Sequence, residues 1–130
     1  MGAVTWQTHA MRDYHNLDVW KRSHDLVVSV YRHTGAYPPE EHFVLTGQTR
    51  RAAVSIPTNI AEGAGKATRP DYANFLSIAS GSLNELECLL ELGQDLGFSE
   101  PSQAAALIAE VGEVRAMVTA LRPKVNPGTR

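Results

Sequence analysis

Leu107, Val111, Val114, Val118 and Leu121 are spaced alternately by four and three residues. That rhythm holds one edge of an α-helix against a partner and cannot make the alternating face of a strand. Helical spacing also runs through most of the remaining chain, and no convincing period-two apolar run competes with it. The pattern therefore predicts an all-α fold. With 130 residues, 43% of them hydrophobic and 20% charged, the chain can build one ordinary core and has little room for a second.

The punctuation divides the chain into four helices, expected at about residues 17–34, 40–62, 69–96 and 100–122. Asn16 or Asp18 can cap the first helix, whose broad apolar face joins Trp20, Val27 and Tyr31 to Val19, Leu26 and Val30; Gly35 and Pro38-Pro39 stop it. Glu40 and Glu41 suit the start of the second, which carries Leu45, Thr49, Ala52, Ala53, Ile56 and Ile60 on one side. Pro57 interrupts that run and reads as a kink in one helix, with two short helices as the alternative. Thr68 and Asp71 resemble a capping pair for the third helix, and Gly97 is a natural stop. Ser99 can cap the fourth, with Pro101 in its first turn. Short connections favour antiparallel neighbours, hence an up-down-up-down four-helix bundle. Residues 1–12 read as a flexible arm, with Met11 an alternative start, and 123–130 as a fraying tail.

The third helix carries more apolar surface than a lone bundle needs. Its main stripe is Tyr72, Phe75, Leu76, Ala79, Leu83, Leu86 and Leu90, and a flanking stripe adds Ile78, Leu89, Leu92 and Leu96. A second stripe implies a wide core contact or another subunit, so self-association is expected.

One segment departs from plain bundle logic. In QTRRAAVSIPTNIAEG, the residues Gln48, Arg51, Ser55, Asn59 and Glu62 fall within about 80° at roughly 100° per residue. The third helix answers with Ser80, Gly81, Ser82, Glu85 and Glu87. Read structurally, this is a polar seam in which Arg50 or Arg51 pairs with Glu85, while Asn59 and Ser82 satisfy nearby backbone. Gly81 would then mark a close backbone approach, since glycine inside a helix costs roughly 1 kcal/mol against alanine. Read functionally, Arg50 and Arg51 bind phosphate or RNA, with Lys21, Arg22, Lys66 and Arg69 as further candidate contacts.

LDVW at Leu17–Trp20, VYRHTGAYPPEE at Val30–Glu41, QTRRAAVSIPTNIAEG at Gln48–Gly63 and FLSIASGSLNELE at Phe75–Glu87 occur in an order and spacing with a known counterpart. The chain resembles the bacterial four-helix-bundle family encoded in intervening sequences of 23S rRNA genes. The resemblance spans roughly residues 13–97. It implies an antiparallel bundle that assembles into pentameric rings, with no established biochemical activity for most members. A related group, the accessory proteins of diversity-generating retroelements, binds nucleic acid through a basic outer surface. Here helix four carries only Arg115 against Glu110 and Glu113 between Ser102 and Leu121, and the net charge is −2. Both weaken the carry-over of RNA or DNA binding.

No constellation supports an enzyme. GAGKAT at Gly63–Thr68 fails as a phosphate loop, because Ala67 follows the lysine and no strand precedes it. Of the five histidines, His9, His15, His24, His33 and His42, the last four recur every nine residues, so successive ones among them point about 180° apart, and all five read as solvated surface groups. Glu85 and Glu87 lack the Glu-x-x-His motif of di-metal bundles, and Glu87 with Glu91 reads as a wet acidic face. Cys88, the single cysteine, has no histidine near it in sequence and permits no disulfide within the chain. No segment approaches the roughly 20 apolar residues of a membrane span. The expectation is a cytoplasmic, non-enzymatic scaffold or assembly module with no cofactor, no metal and no membrane partner.

Overall fold

The computed structural model describes residues 13–128. The expected N-terminal arm and His9 lie outside them. Four helices are present: α1 (Asp18–Thr34), α2 (Leu45–Ala64), α3 (Arg69–Asp95) and α4 (Pro101–Val125). Short 3-10 turns stand at Tyr14–Asn16 and Pro39–Glu41, and no strand occurs among the described residues. Each helix packs against two others, α1 and α3 both lying against α2 and against α4. That is the expected four-helix bundle. Among the described residues, no helix is long and apolar enough to cross a membrane.

Burial follows the periodicity. Leu26, Val30, Ile56, Ile60, Leu83 and Val114 are among the fully buried side chains at the centre. On α1 the buried line is Val19, Ser23, Leu26, Val30 and Thr34. Trp20 and Val27 only flank the core and Tyr31 is exposed, so the apolar face turns inward on its Val19–Val30 side. Tyr72 is enclosed on α3, and burial pushes its phenol up to about 12 by disfavouring the phenolate.

Several ends are set as the local signals imply. Thr68 Oγ1 accepts the Asp71 N–H at 3.2 Å, capping α3. Gly97 has φ +79°, a conformation that side chains resist. It lets the Phe98 N–H reach the Gly93 carbonyl and its own N–H reach Gln94, both at 2.9 Å. This is the two-bond Schellman terminus.

Other ends differ. Asp13, not Asn16 or Asp18, caps the first turn by accepting the His15 N–H at 3.1 Å, and Leu17 opens α1 without a side-chain cap. α2 begins at Leu45 rather than near 40, because the chain first makes the Pro39–Glu41 turn and breaks at Val44 (φ −115°, ψ −101°). Glu41 still serves the helix start, accepting the Leu45 N–H at 3.3 Å. α2 runs unbroken through buried Pro57. Ser99 caps nothing, since Glu100 holds the cap position of α4. α4 continues through Pro123 to Val125, past the expected end at 122. Buried Val125 extends the Leu107–Leu121 spacing by four residues, and its burial offsets the backbone donor that Pro123 removes.

Candidate functional site

Around α2, geometry sorts side chains onto three fronts. Arg50 turns toward α1, where its Nε donates to Thr34 Oγ1 at 2.9 Å and its Nη2 to the Tyr31 carbonyl at 3.3 Å. The guanidinium also lies 4.4 Å from the Tyr31 ring centroid. The last carbonyls of a helix carry partial negative charge and lack intrahelical donors, so the end of α1 is a natural seat for this cation.

Ser55 and Asn59 turn toward α3. Ser55 and Ser82 hydroxyls are 2.7 Å apart, and Asn59 Nδ2 donates to the Ser55 carbonyl at 2.7 Å and its hydroxyl at 2.9 Å. The inner seam is thus a neutral hydroxyl–amide relay within one subunit. The expected pairing of Arg50 or Arg51 with Glu85 is not formed. Arg50 is taken by α1, and the exposed side chains of Gln48, Arg51, Glu62 and Glu85 make no hydrogen bond or ion pair among the described residues.

Gly81 also departs from expectation, because a Cβ there would meet nothing within 4 Å. The tight glycines are Gly63, whose Cβ would stand 2.9 Å from Phe75 Cβ, and Gly93, whose Cβ would stand 2.8 Å from Tyr37 Cζ.

The third front of α2 faces outward. Gly47, Arg51, Val54 and Thr58, at helical spacing, floor an open groove of about 790 Å³ whose rim includes Tyr31, His42 and Phe43. Phe43 is 88% exposed, an unusual state for an aromatic side chain. Val54 and Thr58 continue into a second hollow of about 280 Å³ lined by Tyr14, Trp20, His24 and Pro57. Of its lining rings, Trp20 stacks on His24 with centroids 5.0 Å apart, and Tyr14 stacks on neighbouring His15 at 4.0 Å. On the α2-facing edge of α3, the second stripe leaves Ile78, Leu92 and Leu96 exposed at 44%, 45% and 53%, while Leu89 is buried. The sequence pattern does not reveal the groove, because Phe43 and Val44 precede α2 in a connection without period.

The nominated cations do not gather into one patch within the subunit. Arg22 donates to Glu113 of α4, Arg50 is spent on α1, and Lys66 lies over the Phe75 ring at 4.9 Å. Lys66 and Arg69 flank the α2–α3 turn, whereas Arg50 and Arg51 sit near the opposite end of α2. Glu87 is not part of a free acidic face, since Arg115 pairs with it at 2.8 Å and also reaches Asn84 at 3.2 Å. Cys88 is exposed, and no cluster of three potential metal ligands exists among the described residues.

Residues 15–120 match the family described as 23S rRNA-intervening sequence protein. The chain belongs to this family. A solved member of the S23 ribosomal protein family from Bacteroides thetaiotaomicron VPI-5482, described as a protein with unknown function, is 25% identical with a TM-score of 0.72. The similarity covers 80% of this chain and 97% of that one, so the bundle accounts for nearly the whole relative. No curated protein matches the chain. Neither the family's description nor the solved relative's names an activity.

Among the described histidines, His33 is the one that departs from a solvated surface group: it is half-buried, its Nε2 makes no hydrogen bond among the described residues, and its ring meets Tyr37 edge-on at 5.7 Å. Burial lowers its pKa below the ordinary 6.5 by disfavouring the charged ring. The folded state then binds fewer protons than the unfolded chain, so this contribution is complete above about 6.5 and declines as pH falls toward the folded-state value. The urea midpoint is expected to drop between pH 7.5 and 5, and to drop less in His33→Gln. Equal drops in both proteins would remove His33 as a cause.

Proposed function

We propose that this chain is a non-enzymatic assembly module that functions as a homo-oligomer, with the α2 face and its flanks from α1 and α3 covered by neighbouring copies. One observation carries this reading. Among the described residues, the exposed large apolar side chains lie on α1 (Val28, Tyr31), the α1–α2 connection (Phe43, Val44), α2 (Val54) and α3 (Ile78, Leu92, Leu96), and none lies on α4. Scattered apolar residues would need no explanation, but a one-sided distribution marks an interaction surface. The hydroxyls along the groove support a binding role over chemistry. Ser55 is bonded to Ser82 and Asn59, and Thr58 donates to the Val54 carbonyl at 2.9 Å, so neither is held by a general base.

A ring of five is the stoichiometry that fits the resemblance. Light scattering at micromolar concentration is then expected to give about five times the 14.2 kDa chain mass. A 14.2 kDa species throughout that range would overturn the reading.

A further inference from the structure

Resting on the assembly reading above, we propose that adjacent copies meet with the α3 strip around Glu85 of one against the α2 groove around Arg51 of the next, and that these two residues form an ion pair across the contact.

A ring with an odd number of subunits cannot use a self-complementary contact throughout. Its interfaces are heterologous, so each subunit has to present two different patches that fit one another. Two such patches lie on either flank of the α2 face. The groove is apolar at Phe43 and Val54 and carries the exposed cation Arg51. The strip is apolar at Ile78, Leu92 and Leu96 and carries the exposed anion Glu85. Spacings of seven, seven and four residues keep Ile78, Glu85, Leu92 and Leu96 along one side of α3.

Charge use within the subunit sharpens the match. Arg22, Arg50 and Arg115 each satisfy an acceptor inside the chain, on Glu113, Thr34 and Glu87 respectively. Among the described residues Arg51 and Glu85 do not, although α2 and α3 are packed neighbours. Both are opposite charges set among exposed apolar side chains. Such an arrangement is weak in water and strengthens once a partner surface excludes solvent. Phe43 is suited to anchor the contact, because a rigid exposed aromatic gains most from entering a partner's apolar strip.

Charge reversal tests the pairing. Arg51→Glu and Glu85→Arg, each measured by light scattering over a concentration series, are expected to weaken association at least tenfold. The double variant Arg51→Glu/Glu85→Arg is expected to recover most of that loss. Both positions are exposed, so circular dichroism and the unfolding midpoint measured under dissociating dilution should match wild type, which separates lost contact from lost fold. Single variants that assemble like wild type, or a double variant that stays dissociated, would overturn this pairing while leaving the assembly of the wild-type chain intact. A monomeric wild-type chain would remove the assembly reading itself.

Discussion

Alanine at Gly93 is expected to lower the unfolding free energy by about 1–3 kcal/mol, the usual cost of overfilling a packed core. The added methyl would stand 2.8 Å from Tyr37 Cζ and closer still to its hydroxyl. Tyr37 cannot easily yield, because its ring is buried and packs on Phe98 and His33 at centroid distances of 5.6 and 5.7 Å. Replacing glycine inside a helix normally gains up to about 1 kcal/mol, so a loss here reports the steric contact over intrinsic propensity. Gly81 supplies the control on the same helix. It is exposed and a Cβ would meet nothing within 4 Å, so Gly81→Ala is expected to stabilise by about 0.5–1 kcal/mol. Urea unfolding of the two variants should therefore move in opposite directions. Matching shifts would show that Tyr37 does not close over α3 as described.

Leu83→Ala is expected to cost about 2–5 kcal/mol, because it removes a fully buried side chain and leaves a cavity the neighbouring helices cannot fill. Leu92→Ala, nine residues along the same helix, should behave differently. Its side chain is 45% exposed within the subunit, so its effect on the dissociated chain is expected to stay within about 0.5 kcal/mol. The same change should weaken assembly, making its apparent stability loss grow with protein concentration, as linkage between folding and association requires. Concentration-dependent unfolding of wild type and both variants reads this directly. A large loss for Leu92→Ala at high dilution would place the second stripe of α3 inside the subunit core.

The contrast between those stripes shows what was legible and why. Burial along α2 matches the residues at helical spacing, and the 107–121 seam of α4 is buried except at half-buried Leu121. Apolar periodicity reports directly on the face that leaves water. Thr68 and Gly97 end their helices as expected because a cap is a contact between residues a few positions apart. Ser99 has the right chemistry for a cap and does not act as one, and α2 starts late because the Pro39–Glu41 turn comes first. Local signals at those ends compete with how the connection must cross between helices.

The candidate site was less legible. The polarity of the Gln48–Glu62 segment points to a seam with α3, and its Ser55–Ser82 contact exists, but the charged partners differ. Arg50 turns to the end of α1, Glu87 to Arg115 of α4, and the close approaches fall on Gly63 and Gly93 instead of Gly81. Which side chain meets a charge depends on the rotation and offset of the helix beside it, and a one-dimensional period carries neither.

By itself, then, the sequence determined the helical class, the number of helices, most of the inward faces and the excess apolar stripe on α3. These are properties of single helices, set by the 3.6-residue repeat and short-range capping. Tertiary packing alone brings Phe43, Val54 and Arg51 into one groove flanking that stripe, and leaves Arg51 and Glu85 without a side-chain partner among the described residues. Those facts arise where separate helices are brought side by side, and packing of the whole core sets their mutual rotation.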